Sequence, residues 1–137
     1  MHIFFDIGDT IIDAKTFTWR PGAQQLLERL QQLHPLGVIS NTGQLTRDEL
    51  LKRLPSDFIG HFQPNLIILS IEAGHSKPAP EIFQKAIQAA VQLPTACLYC
   101  SENPVEIQAA KALGMQSVLA QDDLLELVFD PPSQACS

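Results

Sequence analysis

Five short runs of bulky residues, each followed by a segment of helical spacing, alternate along the 137 residues of the chain. The runs are Ile3–Phe5, Leu36–Ile39, Leu66–Leu69, Cys97–Cys100 and Ser117–Ala120. They are apolar along their length instead of alternating with polar residues, so each needs cover on both faces. A parallel sheet between two helical layers meets that need. The expected fold is an α/β domain with a doubly wound, parallel five-stranded sheet. The length suits one domain, placed at residues 1–128, with 129–137 as a loose tail.

The helical segments carry their own punctuation. Pro21-Gly22 opens the first, which runs through Leu33 with Leu26, Leu27, Leu30 and Leu33 on one stripe. Thr46 with Glu49 three residues on is a capping-box pattern for a second helix reaching about Leu54. Ser76 to Pro80 introduces a third, in which Ile82, Phe83, Ala86, Ile87 and Ala90 recur at helical spacing. Pro104 starts a fourth that ends at Leu113 before Gly114, and Asp122 with Asp123 suits the start of a final one. Residues Ile11 to Arg20 show no period and read as a loop or short flap bearing Phe17 and Trp19. There is no internal repeat.

Composition narrows the function classes. A formal charge of −6, with Lys and Arg scattered, argues against a general nucleic-acid binder, which needs a basic face. No apolar run approaches the roughly 20 residues of a membrane span, and the N-terminus enters the first strand without a basic leader, so a cytoplasmic protein is expected. The histidines, His2, His34, His61 and His75, lack metal-ligand spacing and read as surface or turn residues. Cys97 and Cys100 have C-x-x-C form, but residues three apart in a strand point to opposite faces. They read as buried thiols and not as a redox or zinc pair.

In a doubly wound sheet the ligand crevice lies beyond the carboxyl ends of the strands, where the strand order reverses. Asp6, Ser40 and the Ser101-Glu102 pair fall at such ends, and Lys77 precedes the helix that feeds the fourth strand. A carboxylate directly after an apolar run is costly to leave unpaired, so Asp6 should meet a cation or an open strand end. The plainer alternatives are a strand followed by an ordinary Gly-Asp turn and, for Lys77, a solvated lysine before a helix.

Four segments in order resemble the haloacid dehalogenase superfamily of aspartate-nucleophile hydrolases, most of them magnesium-dependent phosphatases. They are Phe4-Phe-Asp-Ile-Gly-Asp-Thr10, Val38-Ile-Ser-Asn41, Gly74-His-Ser-Lys-Pro-Ala-Pro-Glu-Ile-Phe83, and Leu98-Tyr-Cys-Ser-Glu-Asn-Pro-Val-Glu106 with its helix to Gly114. The resemblance implies a Rossmann-like core in which Asp6 attacks phosphorus to give an aspartyl-phosphate. Ser40, Asn41 and Thr10 would contact the substrate, and Lys77 would neutralise charge on Asp6 and the phosphoryl group. Mg²⁺ would sit between Asp6, the Gly8 carbonyl and the Ser101-Glu102 pair.

The chain also departs from the family pattern. Phosphatases of the family carry an acid–base aspartate two residues after the nucleophile, where this chain has Gly8; Asp9 stands one residue further on. General acid–base help is typically worth 10²–10⁴-fold, so alkyl phosphates should turn over slowly and leaving groups that need no proton should suffer less. Relatives often show paired aspartates before Asn-Pro, where this chain has Ser101-Glu102; Glu106, one helical turn on, faces roughly the same way and is a candidate to support that pair from behind. No segment is long enough for a cap domain, which points to a phosphorylated substrate, macromolecules included, or a neighbouring copy closing the site. The alternatives are a silent binding or regulatory module of the same fold and, with less support, a dehalogenase.

Overall fold

The computed structural model describes residues 1–120, 123–127 and 129. Strands β1 (His2–Phe5), β2 (Leu36–Ser40), β3 (Ile67–Leu69), β4 (Cys97–Ser101) and β5 (Gln116–Leu119) form one sheet in the order β3-β2-β1-β4-β5. Every pairing is parallel. The central strand is β1, flanked by β2 and β4, so the order reverses at the strand that carries Asp6. Five helices complete the layers: α1 (Ala23–Gln31), α2 (Arg47–Arg53), α3 (Ser70–Ala73), α4 (Pro80–Ala90) and α5 (Pro104–Ala112).

Successive strand residues alternate between two cores, as the doubly wound expectation requires. Ile3, Phe5, Val38 and Cys100 pack with Leu26 and Leu27 of α1 and Leu50 of α2. Phe4, Ile39, Cys97 and Tyr99 pack on the opposite face with Phe83 of α4 and Ile107 of α5. Cys97 and Cys100 thus lie on different faces, as their spacing predicts. Burial pushes both thiols up, Cys100 to about 12, which keeps them protonated and unreactive at neutral pH.

The helix signals hold in kind and shift in extent. The Thr46 hydroxyl accepts from the Glu49 N–H at 3.2 Å while the Glu49 carboxylate accepts from the Thr46 N–H at 3.1 Å, the reciprocal pair expected for α2. The first helix stops at Gln31, so Leu33 lies beyond its last turn, 75% exposed, and Ala23 takes the fourth place on the buried stripe. Helix α3 was not expected: its four residues are too few to show a period, and Gly74 ends it at a φ of 76°. The expected final helix is instead a 3₁₀ turn, Leu124–Glu126, with the Asp123 side chain accepting from the Leu125 N–H at 3.1 Å; Asp122 lies outside the described residues. So does the expected tail, apart from Phe129, whose ring packs 6.0 Å from that of Phe5.

The flap is not a free polar loop. Ile11 and Ile12 are buried, and bridges pair Ile12 with Gly8 and with Trp19. Trp19 stacks on Phe58 at 5.6 Å and donates to Asp57 at 3.1 Å, so it contacts its own domain. No inserted domain interrupts the sheet among the described residues, and none of their helices is long and apolar enough to cross a membrane.

Gly37 shows how tightly this sheet is packed. A Cβ there would meet the Leu66 carbonyl oxygen at 2.5 Å and Phe4 Cδ1 at 2.8 Å, and the backbone oxygen cannot swing aside. Gly37→Ala is expected to cost about 1–3 kcal/mol of stability, read as a lower urea midpoint at unchanged m-value. An unshifted midpoint would contradict this packing.

Candidate active site

Asp6 follows the last residue of β1, and its N–H still bonds to the Cys100 carbonyl at 3.0 Å, which fixes it at the sheet edge beside β4. It is 8% exposed. Its Oδ1 accepts from Lys77 Nζ at 2.7 Å and from the Ile7 N–H at 2.9 Å. Its Oδ2 accepts from the Thr10 hydroxyl at 3.2 Å, with the Ser101 hydroxyl at 3.3 Å. Burial raises the Asp6 carboxyl above the ordinary carboxylate range, and the Lys77 charge opposes that rise.

Lys77 comes from the loop before α4, 71 residues away in sequence. Its ammonium also donates to the Tyr99 phenol oxygen at 2.8 Å and lies 3.0 Å from Glu106 Oε1, which accounts for its three protons. The Tyr99 hydroxyl donates to that same Glu106 oxygen at 2.6 Å. Burial, then the charges of Asp6 and Glu106, push the phenol far up, so it stays a donor. Ser101 has one proton and two acceptors in reach, Asp6 Oδ2 and Glu106 Oε1, each at 3.3 Å. A buried ammonium is therefore held by two carboxylates and a phenol, the arrangement that makes burying the charges tolerable.

The site residues read from the sequence fall into two groups. Asp6, Lys77, Ser101 and Glu106 are brought together. Ser40, the last residue of β2, is buried, and its hydroxyl makes no hydrogen bond among the described residues. Asn41, expected to contact substrate, clamps the backbone of Lys77: its amide donates to the Lys77 carbonyl at 3.1 Å and accepts from the Lys77 N–H at 2.7 Å. Thr10, also expected to touch substrate, is fully buried. It donates to Asp6 and accepts from the Glu102 N–H at 3.0 Å, tying two loops together under the carboxylate.

Asp9, expected among the catalytic residues, is exposed. Its backbone φ of 59° turns the side chain outward, where it accepts from the Ala14 N–H at 3.0 Å. Ser101, expected among the metal ligands, spends its oxygen accepting from the Asn103 N–H at 3.1 Å and its proton on the carboxylates. Tyr99 was read only as part of an apolar strand. The signal for it was the hydroxyl itself, which needs a partner when a tyrosine is fully buried.

The donors left for a divalent ion are Asp6, the Gly8 carbonyl and the exposed Glu102 carboxylate. Among the described residues no three or more His, Cys, Asp or Glu side chains form a ready-made metal cage. Mg²⁺ takes one or two carboxylates and keeps several waters, so Asp6 and Glu102 are the donor types such an ion would use. The Glu102 carboxyl is raised by burial and then by the charges of Asp6, Glu106 and Asp9, with Lys77 opposing the rise. On the other face of the sheet edge lies a cleft of about 170 Å³ lined by Ile12, Phe17, Leu45, Leu50 and Leu54, with Gly8 and Ser40 also on its wall.

A doubly wound α/β domain with a buried aspartate–lysine pair at its topological switch point defines the class. The chain belongs to the haloacid dehalogenase-like hydrolase family, whose model matches residues 2–114. It is 35% identical over 101 residues to a glyceraldehyde 3-phosphate phosphatase of Pyrococcus abyssi, a match that spans 72% of this chain and 40% of that protein. Among solved structures it is similar to a haloacid dehalogenase superfamily hydrolase from Ehrlichia chaffeensis (TM-score 0.67, 18% identity, 90% of this chain and 88% of that one). It is also similar to a family enzyme from Bacteroides thetaiotaomicron solved with magnesium and inorganic phosphate (TM-score 0.66, 20% identity, 77% of this chain and 54% of that one). At these identities the two structures show the fold.

Proposed function

We propose that the chain is a phosphohydrolase acting on a small phosphorylated molecule through an aspartyl-phosphate at Asp6. The observation that carries this reading is the 2.7 Å contact of Lys77 Nζ with Asp6 Oδ1 at the switch point. The P. abyssi relative, a phosphatase of a small molecule, supports the substrate class. The sequence expectation of a macromolecular substrate rested on the missing cap, and the small cleft beside the site favours the smaller ligand.

In the first step an Asp6 oxygen attacks phosphorus, and the bond from phosphorus to the leaving oxygen breaks with its electron pair on that oxygen. In the second, water attacks the phosphorus, the bond to Asp6 breaks, and inorganic phosphate leaves. Lys77 holds the attacking carboxylate in place and offsets charge that grows on the phosphoryl oxygens. Tyr99, Glu106 and Asn41 fix Lys77, while Thr10 orients Asp6. The Ser40 hydroxyl, which makes no hydrogen bond among the described residues, would donate to a phosphoryl oxygen. Mg²⁺ held by Asp6, the Gly8 carbonyl and Glu102 supplies further charge neutralisation when bound.

With no acid at position 8, an alkoxide leaves unprotonated, whereas acyl and aryl oxygens leave readily as anions. Acetyl phosphate with Mg²⁺ is therefore expected to release phosphate, and Asp6→Asn to abolish that release. A folded wild-type protein that releases no more phosphate than Asp6→Asn would refute the proposal.

A further inference from the structure

We propose that the apolar cleft beside Asp6 receives the leaving group of the substrate, and that this group is a single aromatic ring. The inference deepens the phosphohydrolase reading and rests on it. Its ground is the two-sided construction of the sheet edge. The buried partners of Asp6, namely Lys77 with Glu106 and the Tyr99 phenol, sit on the α4/α5 side. The α1/α2 side carries the cleft, walled by Ile12, Phe17, Leu45, Leu50 and Leu54.

Three observations tie the cleft to the reacting centre and to one kind of occupant. Gly8, two residues from Asp6, lines it, so the place where family phosphatases carry their acid–base carboxylate opens here onto hydrocarbon. Ser40, whose hydroxyl makes no hydrogen bond among the described residues, lines it with Asn41 and Thr42, which gives an otherwise apolar wall one polar end. Its volume of about 170 Å³ is that of one ring: an apolar cavity of roughly 150 Å³ binds benzene. An aryl oxygen also leaves as a phenolate with its electron pair and takes a proton from bulk water afterwards. Cleft shape and missing acid therefore select the same chemistry.

Phenylphosphonate and methylphosphonate, which are not hydrolysed, separate the ring from the phosphoryl group. Burying a phenyl group predicts that calorimetry in the presence of Mg²⁺ finds phenylphosphonate bound roughly 10–100-fold more tightly than methylphosphonate. Ala14→Leu, which extends a side chain into the cleft, should bring that ratio to about 1; Ala14 lines the cleft from an exposed position. Acetyl phosphate turnover is measured on the same wild-type sample. Equal affinity for the two phosphonates with acetyl phosphate still hydrolysed overturns the cleft assignment alone. A ratio that survives in folded Ala14→Leu does the same. Loss of acetyl phosphate turnover together with phosphonate binding overturns the phosphohydrolase reading beneath it.

Discussion

Gly8→Asp raises the rate on simple alkyl phosphates by about 10²–10⁴-fold, the usual worth of a positioned general acid–base group. The substitution fits: a Cβ at Gly8 meets only the Ala14 Cβ, at 3.8 Å, an ordinary contact, and Gly8 does not have the left-handed backbone that would strain a side chain. Asp9 cannot mask the effect, because its carboxylate is held by the Ala14 N–H. The same change puts a charge on the wall of the apolar cleft, so the preference for phenylphosphonate falls as the alkyl rate rises. The measurement is initial rate across alkyl, aryl and acyl phosphates for wild type and variant side by side. No gain on any alkyl phosphate, with magnesium and phosphate affinity retained, would identify a binding module that keeps the site's shape without its chemistry.

Lys77→Met costs the fold about 3–5 kcal/mol at neutral pH, the penalty for leaving buried carboxylates without their cation. The lysine side chain is 1% exposed and sits between Asp6 at 2.7 Å and Glu106 at 3.0 Å. The loss carries a pH signature. Burial already raises the Asp6 carboxyl, and Lys77 is what opposes the rise, so removing it moves that carboxyl higher still in the folded state. The folded variant then binds a proton that the unfolded chain, near the ordinary carboxylate value of about 4, has released. Below that value both states are protonated and the charge penalty is absent; it grows as pH rises through the elevated folded value. Urea unfolding should therefore show a small deficit near pH 4 and the full one near pH 7.5. An equal deficit at both would mean that packing, not charge, is what Lys77 provides.

Most of the scaffold was legible because its signals are local. Unbroken apolar runs require cover on both faces, and the reciprocal Thr46–Glu49 cap needs only three intervening bonds of a helical turn. The misreadings have a common cause. Leu33 matched a stripe that ended one turn earlier, and the four residues of α3 are too few to show any period. Asp123 introduces a 3₁₀ turn instead of a helix among the described residues, since a favourable cap cannot by itself sustain further turns.

The site divides along the same line. Chain order alone brought Asp6, Ser40 and the Ser101 segment to one sheet edge, because parallel strands all end on the same side. Which of those groups faces the reaction and which is spent inside the protein was decided by tertiary contacts a few ångströms long. Thr10 and Asn41 went to holding Asp6 and Lys77, Asp9 turned to solvent, and Tyr99 emerged from an apolar strand as a partner of the buried ammonium. Periodicity records what a residue must avoid, namely water or hydrocarbon. A hydrogen bond between segments 71 positions apart records distance and direction, and those exist only once the sheet has closed its order.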